Sequence, residues 1–102
     1  MIYVIATIEV REGRRDAFLK EFYRVVPVVR QEQGCLEYGP AVDVPTAIAV
    51  QGPIREHTVT VIEKWHSLDA LQAHLAAPHM AEYRERVRDL VIAVDLQVLT
   101  PA

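Results

Sequence analysis

The run Ile2 to Val10 is the tightest constraint on what this chain can become. Its residues alternate: Val4, Ala6, Ile8 and Val10 point one way, and Tyr3, Ile5, Thr7 and Glu9 the other. That pattern is a β-strand. The second face is not fully polar, because Tyr3 and Ile5 lie on it, so the sheet is expected to be covered on both sides. The same alternation returns in His57 to Trp65, where Val59, Val61, Glu63 and Trp65 share a face opposite Thr58, Thr60, Ile62 and Lys64. It returns again in Ile92 to Leu99, with Ile92, Val94, Leu96 and Val98 set against Ala93, Asp95, Gln97 and Leu99.

Helical spacing fills the intervals. From Arg14 onward, Phe18, Phe22, Val25 and Val29 form one apolar stripe, with Lys20, Glu21 and Arg24 on the other side. Pro27 falls inside this helix and is expected to kink it or loosen one backbone bond. Gln33-Gly34 is expected to stop it, with Gly34 just past the end in the left-handed position. Cys35 to Val42 is a second strand weakened by Gly39-Pro40, which predicts an edge or a bulge there. Asp43 to Glu56 carries Pro45, Gly52 and Pro53 and reads as a long loop, a length that often marks a pocket wall or a partner contact. Ser67 is a good N-cap for a short helix whose buried side is drawn through Leu68, Leu71 and Leu75. Pro78 suits the first turn of a new helix reaching about Asp89, with Met80, Tyr83 and Val87 as its stripe.

The order is therefore β-α-β-β-α-β, with the second helix split in two. This is the ferredoxin-like α+β arrangement: a four-stranded antiparallel sheet with helices on one face. The chain has 102 residues, enough for one compact domain, 1–102, and too few for two. Whichever strand faces meet the helices, the remaining set carries large apolar groups: Tyr3, Ile5, Ile62 and Leu99 lie opposite Val4, Val61 and Val98. Such an open face favours a homodimer packed sheet to sheet.

Charge and cysteine usage exclude several classes. Net charge is −3, and Arg and Lys interleave with Glu and Asp, as in Arg84-Glu85-Arg86, so no basic patch for nucleic acid is built. No apolar stretch approaches the ~20 residues needed to cross a bilayer. Met1 leads straight into a strand with no basic leader. The single cysteine, Cys35, fits a reducing cytoplasm and reads as a small core hydrophobe rather than a nucleophile.

Chemistry concentrates between Trp65 and Tyr83, where Trp65, His66, His74, His79 and Tyr83 fall close together. His74 and His79 are five apart. On one continuous helix they would point about 140° apart, so only the break at Pro78 could bring them together. No H-E-x-x-H, C-x-x-C or carboxylate cluster points to a metal, and no cofactor fingerprint occurs elsewhere. An imidazole titrates near working pH and can take a proton from a phenol or quinol hydroxyl. His74 lies beside the apolar stripe, where the plain alternative is a core-edge ring bonded to a backbone carbonyl. His79 opens a helix, where the plain alternative is a packing role. Trp65 and Tyr83 could stack on a flat ring or simply fill the core. Tyr38, beside Gly39-Pro40, could offer a hydroxyl, and Arg55, Arg84 and Arg88 could hold an anionic group.

The strand Thr60–Trp65, the helix Ser67–Leu75 and the segment A-H-L-A-A-P-H-M (73–80) resemble the antibiotic biosynthesis monooxygenase family, and within it the small bacterial quinol monooxygenases. The likeness extends to Val4-Ile5-Ala6, Val26-Pro27, the Glu32-Gln33-Gly34-Cys35 corner and the closing strand. The resemblance implies a dimeric α/β barrel of ferredoxin-like subunits. It also implies oxidation of quinols or polycyclic phenols by O₂ without metal, flavin or haem. Its matching positions are Trp65, His74, His79, Met80 and Tyr83, with His74 or His79 as the base; Tyr38 is a further substrate contact by its own place beside Gly39-Pro40, not by the resemblance. Haem-degrading relatives depend on a first-strand Asn, and this chain has no Asn at all. Two other readings stay open on the same residues: a non-catalytic module that sequesters a small aromatic, and an isomerase or decarboxylase using the same base.

Overall fold

Alternation decides which side of each strand is buried, and the computed structural model, which covers residues 1–102, shows the result. The elements are β1 (Ile2–Val10), α1 (Arg15–Arg30), β2 (Cys35–Ala41), β3 (Thr58–Trp65), α2 (Leu68–Leu75), α3 (Pro78–Val87) and β4 (Val91–Leu99). The sheet order is β2-β3-β1-β4, antiparallel throughout. Val4, Ala6, Ile8 and Val10 of β1, with Val59, Val61, Glu63 and Trp65 of β3, are buried. Phe18, Phe22, Val25 and Val29 of α1 join the same core, as the helical stripe requires. This is the ferredoxin-like α+β fold.

Pairing Ile5 with Ile62, and Tyr3 with Lys64 and Leu99, gathers the second apolar set on the opposite face. Lys64 holds its ammonium 5.7 Å from the Tyr3 ring centre there. β4 is an edge strand. Register sets Val94, Leu96 and Val98 against Ile8, Ala6 and Val4, on the helix side of the sheet, yet all three remain exposed.

Three local expectations differ from the structure. First, α1 ends at Arg30 and Gly34 does not cap it. The N–H groups of Gln31 and Glu32 bond back to Val28 and Val29, so the chain leaves the helix earlier, and 31–34 become a turn. Gly34 still needs its glycine: φ is +84°, and a Cβ there would lie 2.6 Å from the Ala70 Cβ. Second, β2 is an edge strand, one of the two outcomes expected of Gly39-Pro40, but its irregularity falls between Cys35 and Glu37. Pro40 stays in register opposite Val61, which an edge strand tolerates. Third, α2 buries Leu71 and His74, while Leu68 and Leu75 are exposed. A helix this short turns one line of residues inward, and the imidazole takes a place on it because its polar edge finds a partner. Pro27 lies within α1 without ending it, and Ser67 Oγ accepts the Ala70 N–H as an N-cap should.

Gly34→Ala is expected to destabilise the fold. The left-handed conformation alone costs about 1–2 kcal/mol for a residue with a Cβ, and the contact with Ala70 adds to it. Adding Ala70→Gly relieves the contact but not the φ, so urea melts of the double variant should recover part of the loss and not all of it.

Candidate active site

Helices lying across a sheet enclose space wherever the side chains between them are not long enough to meet. Here a cavity of about 450 Å³ lies between the helices and the sheet and opens toward β4. That is within the range of small-molecule sites. Its wall is mostly apolar: Ala6, Ile8, Phe22, Val61, Met80 and Val87 among others, with Val94 and Leu96 at the β4 side. Tyr38 of β2, Glu63 of β3, His74 of α2 and Tyr83 of α3 face it from different elements, with Arg84 and Arg88 at its rim.

His74 is 2% exposed. Its Nδ1 lies 2.9 Å from Oε2 of Glu32, in the turn that follows α1. His79 Nε2 lies 2.8 Å from the same oxygen. The helix break at Pro78 does bring the two imidazoles together, and what they share is a carboxylate oxygen. A carboxylate can only accept, so each ring donates an N–H to it. For His74 this fixes the tautomer: Nδ1 carries the proton and Nε2 keeps its lone pair. Nε2 has no hydrogen-bond partner in the protein, and no fully buried side-chain nitrogen or oxygen is left unpaired, so Nε2 reaches open space. Burial holds the His74 pKa below its ordinary 6.5, although the bond to Glu32 pulls the other way. The ring packs against two aromatic side chains, 4.7 Å from Trp65 and 5.3 Å from Tyr38, centre to centre.

Glu63 is a carboxyl on the buried face of β3, 5% exposed. Its Oε1 accepts the Trp65 indole N–H at 2.9 Å. Burial pushes its pKa up to about 7, against the lowering effect of that hydrogen bond. Burial likewise raises both Tyr38 and Tyr83, so their phenols stay protonated and can donate.

The structure thus brings His74, Tyr38, Met80 and Tyr83 to one cavity. Trp65 and His79 stand behind its wall. Trp65 is wholly buried, backing His74 and bonding Glu63. His79 grips Glu32. Arg84 and Arg88 reach the cavity rim, whereas Arg55 is held by Asp43 in the 43–56 loop, 2.8 Å between Nη2 and Oδ1. Sequence reasoning missed Glu32 and Glu63. The second carried a signal, a charged residue in phase with Val59, Val61 and Trp65.

The chain is similar to proteins already known. A family model described as antibiotic biosynthesis monooxygenase matches residues 1–86. The Escherichia coli K12 protein named "Probable quinol monooxygenase YgiN" is 38% identical over 103 residues, covering 99% of this chain and 98% of that protein. Among solved structures, PA3566 from Pseudomonas aeruginosa superposes with a TM-score of 0.80 at 26% identity, over 99% of this chain and 93% of that one. Rv0793 from Mycobacterium tuberculosis gives a TM-score of 0.79 at 26% identity, over 99% and 94%.

A carboxyl whose pKa is raised by folding binds its proton more tightly folded than unfolded. Glu63 therefore takes stability away as pH rises from its ordinary 4.5 through about 7. Glu63→Gln keeps an acceptor for Trp65 and has no charge to bury. It should be more stable than the native protein at pH 8, by roughly 3 kcal/mol at most, with the gap closed near pH 4.5. Thermal melts at both pH values check this.

Proposed function

The chain belongs to the antibiotic biosynthesis monooxygenase family, and from that premise we propose that it oxidises a quinol or polycyclic phenol with O₂, His74 acting as the base. The observation that carries this reading is the Glu32–His74 pair at 2.9 Å on a residue that lines the cavity, with the opposite ring nitrogen left unpaired by the protein. His74 Nε2 takes the hydroxyl proton of the bound quinol. The imidazolium that forms is stabilised by the Glu32 carboxylate, which also keeps the ring from turning. The quinolate left behind is electron-rich enough to reduce O₂ directly, so the electrons come from the substrate. An apolar wall strengthens the charge interactions and holds a flat ring against the base. Met80 and Tyr83 of α3 form one side of that slot, and the Tyr38 hydroxyl is a donor to a ring oxygen. His79 acts on Glu32 rather than on the substrate.

The wider setting follows from the same features. Ile62 and Leu99, 45% and 42% exposed, lie with Tyr3 and Ile5 on the open sheet face, and we place a homodimer contact there. No helix is long and apolar enough to cross a membrane. The one free thiol, Cys35, supports placing the protein in the reducing cytoplasm.

An oxygen electrode with a panel of quinols, reduced menadione among them, tests the reading. Uptake should exceed the spontaneous rate. His74→Ala should lower kcat by a factor of about 10² to 10⁴, the usual contribution of a positioned base. His79→Ala should cost much less, since one donor to Glu32 remains. Full activity in His74→Ala removes the base assignment, and binding without uptake makes the protein a sequestering module. The native rate should rise with pH through a value below 6.5, where the lowered His74 pKa frees the base, and then level off on that side.

A further inference from the structure

We infer that Glu63 is a second catalytic residue, the carboxyl that protonates the reduced oxygen and then collects the ring proton, opposite the His74 base in the same cavity. The inference rests on the quinol-oxidising reading above. Three observations support it. Glu63 lines the cavity with His74, so one guest would lie against both. Only one of its oxygens is engaged by the protein: Oε1 takes the Trp65 N–H, while Oε2 has no partner and, with no fully buried oxygen unpaired, reaches open space. Trp65 holds the two groups in fixed relation, since its indole N–H anchors Glu63 and its ring backs His74 at 4.7 Å. The groups whose charges bear on this carboxyl are few. Glu32 adds negative charge and, with burial, holds the proton on. The Tyr38 and Tyr83 phenols beside it are neutral. A carboxyl with a pKa of about 7 can both give and recover a proton near neutrality.

The step balances as follows. His74 removes a hydroxyl proton, and the quinolate adds O₂ at a ring carbon bearing hydrogen, leaving a peroxide anion on that carbon. The Glu63 carboxyl gives its proton to the outer peroxide oxygen. The resulting carboxylate then takes the hydrogen of the same carbon as a proton. The electron pair of that C–H bond forms C=O, the O–O bond breaks, and the departing hydroxide takes the proton from the His74 imidazolium. The sum is quinol plus O₂ to hydroxyquinone plus water, with both residues restored. Without the carboxyl, the adduct has a simpler exit. It expels hydroperoxide, giving quinone and H₂O₂.

Product partition is therefore the readout. Native protein, Glu63→Gln and Glu63→Ala are supplied with reduced menadione and O₂, and H₂O₂ and hydroxyquinone are measured against O₂ consumed. Native protein should give mainly hydroxyquinone. Both variants should still consume O₂ above the spontaneous rate but release H₂O₂ as the main product, and added formate should return Glu63→Ala toward hydroxyquinone. Unchanged partition in both variants overturns the role of Glu63 and leaves the base assignment intact. Native protein with no uptake above the spontaneous rate overturns the underlying reading, and this role with it.

Discussion

One oxygen atom, Oε2 of Glu32, ties the functional half of the molecule together. It receives N–H groups from His74 of α2 and His79 of α3, at 2.9 and 2.8 Å. The turn after α1 is thereby joined to both short helices that close the cavity. A largely buried carboxylate needs such partners, because an unpaired charge in an apolar setting is costly. The same arrangement leaves His74 with one orientation and one tautomer. Its buried position then keeps the ring neutral at working pH, the state a base must start from.

Around that point the fold does ordinary things. The core of β1, β3 and α1 is assembled from Val4, Val59, Phe18 and Phe22 and their neighbours, which fixes the floor and one wall. The departures from an ordinary core are few and grouped. A charged residue, Glu63, occupies a strand position that alternation assigns to the core, and a histidine occupies a buried helix position on the same cavity. Both weaken the fold in part of the pH range, Glu63 above its ordinary pKa and His74 below its ordinary one. Polar groups held in the interior at such a cost are the mark of a site.

Much of this was legible in the chain itself. Periods of two and of 3.6 residues gave the element order, and the stripes Phe18-Phe22-Val25-Val29 and Met80-Tyr83-Val87 are buried as their spacing implies. Of the residues singled out in the 65–83 segment and its neighbours, Tyr38, His74, Met80 and Tyr83 line one cavity, and Trp65 and His79 do not. Glu32 was not legible, because a single acidic residue in a turn, 42 positions before His74, leaves no periodic trace. Its role exists only once the chain has folded back on itself. The buried line of α2 was misread for a related reason: Leu68 and Leu75 are more apolar than His74, and only the waiting carboxylate makes the imidazole the better inward group. Trp65 shows the converse. Its aromatic character left ligand contact and core filling both open, and the strand end places it wholly inside, where it supports the two groups that do line the cavity.

The account depends on the protonation pattern of one ring, and nitrogen-15 NMR of the His74 imidazole reports it directly. At pH 7 the spectrum should show a neutral ring protonated at Nδ1, with Nε2 bare, and the Nδ1 signal should change in Glu32→Gln. A ring protonated at Nε2 instead, or an imidazolium carrying both protons at that pH, would contradict it.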